Sequence, residues 1–263
     1  MNSYVEIALA LVFGFAIGGV VGTVGGGGAI LALPVLVYVL DQGVSPASTA
    51  SLIVVALGAS VGAGSQARDG QLCWGIALSF SVPAAVGAYL GTLANGSVSG
   101  RTLILAFVPV MLAVAALTYL RGDGGEEADS SDCPEVSFLR GGSAGVVVGA
   151  MTGFFGVGGG FLIVPALNVL LGLGMRRAIA TSLAIITLTG LAALASHLIE
   201  GAEPNWTLTL VLGAAAAGGA LAGTSLGRRL PSRTLSHAFG VVVALVAWLL
   251  LIDVLALGGP PAG

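Results

Sequence analysis

The sequence predicts an all-α, multi-pass membrane protein, and composition is the first evidence. Of 263 residues, 56% are hydrophobic and only 8% are charged, whereas an ordinary globular domain carries roughly 25% charged residues. Uncharged apolar stretches recur along the chain, and most suit one bilayer span of roughly 20 residues. We therefore expect a helical bundle surrounded by the lipid bilayer.

The second observation is an internal duplication. The glycine-rich segment 22–28, followed by Pro34, recurs as segment 153–159, followed by Pro165, at a constant offset of 131 residues. After one inserted residue the match resumes at an offset of 132, and self-similarity of this kind indicates duplicated structural units. The predicted units are a first membrane repeat (1–120), an acidic linker (121–137) and a second membrane repeat (138–263).

The third observation is that two apolar stretches, 4–40 and 140–172, are too long for one span. As a single helix, residues 4–40 would be about 55 Å long, against a hydrocarbon core of about 30 Å. Each stretch contains a glycine cluster, and glycine disfavours a helix by roughly 1 kcal/mol per interior position. We expect two hairpins, each with a full helix, a glycine turn and a short helix of about 20 Å. The predicted helices are 4–22 and 28–41 in the first hairpin, and 139–154 and 159–172 in the second.

Three further transmembrane helices are expected in each repeat, giving about eight full spans and two short, re-entrant-like helices. The arginines predict the orientation, because all nine basic residues are arginines and positive charge marks the cytoplasmic side. With two hairpins, only Arg101 lies apart from the other eight, so both termini are expected outside and the linker inside. Since five segments per repeat is an odd number, the second repeat should be inverted relative to the first, as in many secondary transporters.

The predicted linker is the only strongly polar stretch, and its acidic, serine and glycine residues cannot bury a core. We expect a solvated, partly disordered loop on the cytoplasmic side. The two cysteines, Cys73 and Cys133, fall in different environments and have no metal-ligand neighbour in the sequence. Neither a disulfide nor a metal site is therefore expected.

Two helix breaks at membrane depth predict where function resides, because irregular backbone is tolerated there only inside protein or beside a water-filled cavity. In an inverted pair the two glycine turns can meet near the bilayer centre. Each short helix then aims its positive N-terminal end, at Gly28 or Gly159, at that centre, and glycine amides can wrap a small oxyanion. Close helix packing by small residues is the alternative explanation of the glycines.

No acidic pair is expected inside the membrane, which argues against a cation exchanger or a proton pump. Amides and hydroxyls suit an anion, although each hydroxyl has the alternative of bonding its own helix carbonyl. His197, which matches Gln66 of the first repeat, is a candidate carrier of a coupling proton because histidine changes charge near neutral pH. An anchor at the helix end is the alternative role for it. The predicted substrate-binding residues are Gly25, Gly26, Gly27, Gly28, Ser51, Gly156, Gly158, Gly159, Gly160, Thr181 and Ser182.

The glycine clusters, each with a downstream proline and an Ala-x-x-x-Ser-Leu motif, lie in segments 25–52 and 156–183. Together they resemble the TauE/SafE family of sulfite and organosulfonate exporters, and the resemblance covers essentially the whole chain. It implies a multi-pass transporter in the plasma membrane of a prokaryote that exports a small inorganic or organosulfur anion. The first copy departs from the second at Ala29, where the second copy has Gly160.

A secondary transporter working by alternating access around the glycine-rich breaks is the leading interpretation. An anion channel of the same architecture is the alternative. An intramembrane enzyme is a third class, but no catalytic constellation is visible in the sequence. We accordingly expect no catalytic residue, no metal site, no cofactor and no nucleic-acid partner, with the bilayer and a small anion as the partners of the chain.

Overall fold

The computed structural model of the chain describes residues 3–95, 100–121, 133–134, 136–155, 160–199 and 204–256. All regular structure in these ranges is helical, which confirms the all-α class. Residues 122–132 and 135 of the predicted linker lie outside them, as do Gly156, Gly158 and Gly159. The helices are α1 (Ser3–Val24), α2 (Ala29–Pro34), α3 (Val44–Arg68), α4 (Trp74–Asn95), α5 (Gly100–Arg121), α6 (Phe138–Phe155), α7 (Gly160–Pro165), α8 (Met175–Ile199), α9 (Trp206–Arg229) and α10 (Ser232–Ala256).

Seven of the described helices are long and apolar enough to cross a membrane, namely α1, α3, α4, α6, α8, α9 and α10. Shorter apolar stretches lie in α5, at Leu105–Leu120, and at Gly160–Leu170. Large apolar side chains cover the outside of the bundle, for example Leu93, Val147 and Trp248, each more than half exposed. A continuous apolar exterior fits a surface that faces lipid, so the chain is a multi-pass membrane protein.

The first predicted helix break is present, and the second, at 156–159, lies outside the described residues. In the first, α1 ends at Val24, Gly25 turns the chain with a positive φ of 80°, and a 3-10 turn over Gly26–Gly28 leads into α2. In the second, α6 ends at Phe155 and α7 begins at Gly160. When the π-helical segments that follow α2 and α7 are included, which end at Val39 and Leu170, the boundaries differ from the predicted ones by one or two residues.

Each short helix changes pitch just after its proline, which the sequence analysis did not predict. A π-helical segment, Val35–Val39, follows Pro34 in the first hairpin, and Ala166–Leu170 follows Pro165 in the second. Proline lacks an N–H and crowds the preceding turn, so the regular bonding pattern is interrupted at this point. From Ala29 to Val39 the arm is about 16 Å long at an α-helical rise, well short of a bilayer core.

Helices from the two halves pack in parallel pairs, α1 with α9 and α6 with α4. Glycines of one helix lie against the backbone of the other, so that a Cβ on Gly14 would sit 2.6 Å from the Leu212 carbonyl oxygen. Gly14, Gly18 and Gly22 of α1 face Leu212, Ala216 and Ala220 of α9, and Gly145, Gly149 and Gly153 of α6 face Phe80, Ala84 and Ala88 of α4. Close packing by small residues, the alternative reading of the glycines, therefore holds for these helices.

The matched helices α3 and α8 run antiparallel through the middle of the bundle. Thr49, near the start of α3, contacts His197, near the end of α8, while Gly62 lies against Leu183. Around them α7 is buried along its whole length, as are residues 178–186 of α8. These two stretches, both of the second half, are continuously buried, and the other helices contribute the rest of the core.

One end of the bundle, which we call the arginine-rich face, gathers the end of α3, the end of α9 and the starts of α8 and α10. Arg228 forms an ion pair with Asp69, and Arg176 donates from Nη2 to the Leu230 carbonyl oxygen at 2.7 Å. These contacts place Arg176 and Arg228 on one face of the bundle. The distribution of arginines in the sequence had also grouped these two residues on one side. Which compartment this face meets stays a prediction.

Cys73 and Cys133 form a disulfide, so the prediction of two unpaired cysteines is wrong. Cys73 immediately precedes α4, and Cys133 lies five residues before α6. Because α4 and α6 pack in parallel, their starts are adjacent and the two Cα atoms are 5.8 Å apart. The helix pairing, which the sequence does not reveal, brings together cysteines separated by 60 residues.

Candidate functional site

The two glycine turns touch through their backbones. A Cβ added to Gly26 would overlap the carbonyl group of Gly160, and one added to Gly160 would lie 3.0 Å from the Gly26 Cα. Only glycine permits so close an approach of two chains. The expected meeting of the two breaks is therefore present at this pair of residues.

The first turn also packs against α7 and α8. A Cβ on Gly25 would lie 2.7 Å from Ser182 Oγ and 2.8 Å from Val164 Cγ2, and the positive φ of Gly25 favours glycine independently. Ser182 is fully buried. The structure thus brings together four of the predicted site residues, and we call this cluster the glycine junction. Its members are Gly25, Gly26, Gly160 and Ser182.

The start of α2 leaves backbone N–H groups without a side-chain cap. Gly28 is the N-cap residue, and no side chain bonds to the first turn of the helix. The first N–H groups of a helix have no partner within it, so they are the natural donors at this position. Gly28 itself packs on α1, where a Cβ would lie 2.5 Å from Val21 Cγ2, while Gly27 lies between Gly26 and Gly28 in the 3-10 turn.

The predicted hydroxyls are engaged in local bonds. Ser182 Oγ donates to the Ile179 carbonyl oxygen at 2.8 Å, and Ser51 Oγ donates to the Ser48 carbonyl oxygen at 2.7 Å. Thr181 Oγ1 accepts the Cys73 N–H at 3.2 Å, so it anchors the start of α4 to α8. To bind an anion, Ser182 would have to turn its hydroxyl hydrogen away from its own helix.

A cavity of about 280 Å³ lies at the arginine-rich face, and two of its lining residues are close to the glycine junction. These are Gly22, which precedes Gly25 by three residues, and Ile179, whose Cα would lie 3.6 Å from a Cβ on Gly25. We call it the arginine cavity. Its remaining lining residues are Thr23, Gln66, Asp69, Gln71, Arg176, Gly227, Arg228 and Leu235.

Arg176 gives this cavity a positive charge that is not neutralised by the ion pair in the wall. Arg228 is paired with Asp69, whereas Arg176 bonds to a neutral carbonyl oxygen. The Nε atom of Arg176 is buried and has no hydrogen-bond partner, and buried donors are normally paired. Sequence reasoning used the arginines only as topology markers and missed this role; the available signal was one Arg-Arg pair at the start of α8 and another at the end of α9.

At the opposite face the bundle has a larger cavity, about 570 Å³ in volume, and the described residues that line it are uncharged. The side-chain oxygen Oε1 of Gln42 is buried near it without a partner. This cavity lies between the start of α3 and the start of α9. Its lining residues are Gln42, Gly43, Pro46, Pro204, Asn205 and Trp206.

His197 lies far from the glycine junction. Its Nδ1 is 3.0 Å from the hydroxyl of Thr49, which is fully buried, and the histidine itself is partly buried. Fifteen residues of α8 separate it from Ser182, or about 22 Å of helix. The matched residue Gln66 lines the arginine cavity at the other end.

A multi-pass helical bundle with two discontinuous helices in contact defines a class of membrane protein that includes many secondary transporters. The chain belongs to the family "Sulfite exporter TauE/SafE", whose model matches residues 10–250. It is 33% identical over 242 residues to a "Probable membrane transporter protein" of Xylella fastidiosa, covering 89% of this chain and 90% of that protein. It is 27% identical over 273 residues to the "Probable membrane transporter protein YunE" of Bacillus subtilis, covering 94% and 98%. No solved structure matches the chain.

Proposed function

We propose that the protein is a secondary transporter that exports a small anion, such as sulfite or an organosulfonate, by alternating access around its glycine-rich helix breaks. The observation that carries this proposal is the arginine cavity, one of whose lining residues, Ile179, packs against Gly25 of the glycine junction. The family description supplies sulfite as the first anion to test. The junction supplies the donors, because uncapped helix N–H groups at α2 and the buried hydroxyl of Ser182 lie there.

The proposed mechanism treats the two halves as inverted copies that rock against each other. Support comes from α3 and α8, which hold matched sequence positions yet run antiparallel. Each half contributes one broken helix to the junction, so movement between the halves would open it to one face and then to the other. The arginine cavity would be the inner entrance and the uncharged cavity of the opposite face the exit.

Charge favours an anion in this route. Arg176 lines the entrance, and the buried charged or polar side chains in the described ranges include no Asp or Glu. Buried carboxylates are what cation pathways through membranes normally use. In the proposed orientation the arginine-rich face is cytoplasmic, the membrane is the prokaryotic plasma membrane, and a potential that is negative inside helps an anion to leave.

Uptake into proteoliposomes tests the proposal. Purified protein would be reconstituted and offered sulfite, sulfonates, thiosulfate and carboxylates, with and without a pH gradient. We expect saturable transport of one class of small sulfur oxyanion. Currents too large for a carrier would indicate the anion channel instead, and no flux of any anion in folded protein would contradict both.

A matched pair of glycine variants tests the junction itself. Gly26→Ala puts a methyl group into the Gly160 backbone, whereas Gly218→Ala on α9 meets nothing within 4 Å. We expect Gly26→Ala to abolish anion uptake and Gly218→Ala to keep it. Normal uptake by correctly inserted Gly26→Ala protein would show that the contact between the breaks is not needed.

A further inference from the structure

The Cys73–Cys133 disulfide lies outside the glycine junction, at the start of α4, and its two sulfurs differ in access. Cys73 is 2% exposed, whereas Cys133 is exposed. A cavity of about 300 Å³ is lined by both cysteines together with Trp74, Val136 and Phe138. Of the two cysteines, Cys133 is therefore the more accessible to a small molecule in this cavity.

A buried arginine lies beside both sulfurs. Arg177 is 6% exposed, and its Nη1 is 3.2 Å from Cys133 Sγ and 3.7 Å from Cys73 Sγ. A neighbouring cation stabilises a thiolate relative to a thiol. Because the sulfur that departs in disulfide exchange does so as a thiolate, such stabilisation speeds the opening of the bond.

The location gives a second reason to regard this bond as reactive. Arg176 and Arg177 are consecutive, so the disulfide belongs to the arginine-rich face. In the orientation proposed above, that face meets the cytoplasm. The access of Cys133 and the contact with Arg177 do not depend on this orientation. Disulfides that occur in a reducing compartment are usually transient and redox-active.

We propose that Cys73–Cys133 is a redox-reactive site that small thiols open from the arginine-rich face, with Arg177 stabilising the departing sulfur. The thiolate of the small thiol attacks Cys133 Sγ, a new S–S bond forms there, and Cys73 leaves as a thiolate beside Arg177. A second small thiolate then attacks the sulfur of the small thiol that is bound to Cys133. This step releases the oxidised small disulfide and leaves Cys133 as a thiolate. Two electrons pass from two small thiols to the protein.

The two cysteines would then separate unequally. The Cys73 N–H remains bonded to Thr181 Oγ1, one residue from Ser182, so the start of α4 keeps a contact with α8. Cys133 is then no longer bound covalently to Cys73, so the segment that leads into α6 is no longer linked covalently to the start of α4. The redox state of this site therefore sets how firmly the segment before α6 is attached to the core.

Reduced glutathione is the probe for the test, on the full chain in lipid nanodiscs at neutral pH. Free thiols are trapped with a maleimide at intervals and counted by intact-protein mass spectrometry. We expect the bond to open without denaturant, and Arg177→Gln to slow its opening by at least about tenfold. Arg177→Lys should retain most of the rate, and Arg140→Gln, which removes an arginine near the start of α6, should leave it unchanged.

Peptide mapping of the trapped intermediate provides a readout on the unaltered chain, should Arg177→Gln fail to fold. Glutathione bound to Cys133 is the expected product, and glutathione on Cys73 would overturn the proposal. Opening that requires denaturant, or an equal rate in folded Arg177→Gln protein, would overturn it as well. None of these readouts depends on transport, so failure of the proposed function would leave the result interpretable.

Discussion

At the arginine-rich face α4 begins at a disulfide, whereas at the opposite face its matched helix α9 begins at Asn205, whose side chain accepts the Leu208 N–H. The cavity at the first end holds Arg176, and the cavity at the second has uncharged walls. Duplication therefore supplied the same helix packing at both ends, while the residues at the helix starts diverged. If the substrate is a small anion, as proposed, the described lining residues offer it a positive charge in the arginine cavity and none in the cavity at the opposite face.

Removing the covalent tie at the arginine-rich face should have the largest effect. Cys73→Ser with Cys133→Ser frees a loop of 60 residues, and chain entropy assigns to such a closure up to about 4 kcal/mol of stability. We expect a clear fall in the thermal unfolding midpoint in detergent. The matched change at the other end, Asn205→Ala, removes a helix cap worth about 1 kcal/mol and should lower the midpoint much less. Equal shifts would mean that the two ends are held with similar strength.

A charge placed at the glycine junction should come next in size, because the proposed route of the anion passes through it. Ser182→Asp puts a carboxylate at the proposed binding position; at roughly 6 Å and an effective dielectric constant near 20, two unit charges repel by about 3 kcal/mol. That is more than about a hundredfold in anion affinity. Ser182→Asn is similar in size but neutral and should be much milder in the same uptake assay. Equal loss in both variants would indicate a steric effect instead of a charge effect.

Neutralising Arg176 sharpens the contrast between the two cavities. At roughly 10 Å and the same dielectric constant, its attraction for an anion at the junction is about 1.7 kcal/mol, so Arg176→Gln should weaken entry from that face about fifteenfold. The loss should shrink as salt rises, because screening weakens the attraction in the parent. Arg229→Gln, an exposed neighbour of the cavity residue Arg228, is the control. If anion uptake by the Arg176→Gln variant and by the parent protein depended on salt in the same way, Arg176 would have no part in anion entry.

Much of this architecture follows from the sequence. The duplication and the length of the apolar stretches predicted the helix break at Gly25–Gly28, and Gly26 and Gly160 lie in contact. The disulfide did not follow, because it depends on α4 lying beside α6, and no local pattern specifies which helices pair. The role of Arg176 was hidden for the same reason, since a cavity forms only where the ends of separate helices come together.

The site was predicted less completely than the fold. Ser182 was expected beside a glycine turn and lies there, but Thr181, its neighbour, points its oxygen to the backbone of Cys73 instead. Adjacent residues on a helix project about 100° apart, so membership of one motif does not give them one environment. His197 illustrates the same limit, because its match to Gln66 says which helix end it occupies but not what it contacts.

The smallest expected effect concerns the contact between α3 and α8 at the opposite face. Thr49 Oγ1 and His197 Nδ1 are 3.0 Å apart, whereas the matched residues at the arginine-rich face are Ala180 and Gln66, and alanine offers no side-chain hydrogen bond. Thr49→Val keeps the shape and removes the bond, which should cost about 1 kcal/mol, because the partly exposed histidine can still find water. Thr49→Ser keeps the hydroxyl and should cost less. The unfolding midpoint measures both, and a Thr49→Ser loss as large as that of Thr49→Val would mean that the methyl group of Thr49, not the hydrogen bond, holds the two helices together at this end.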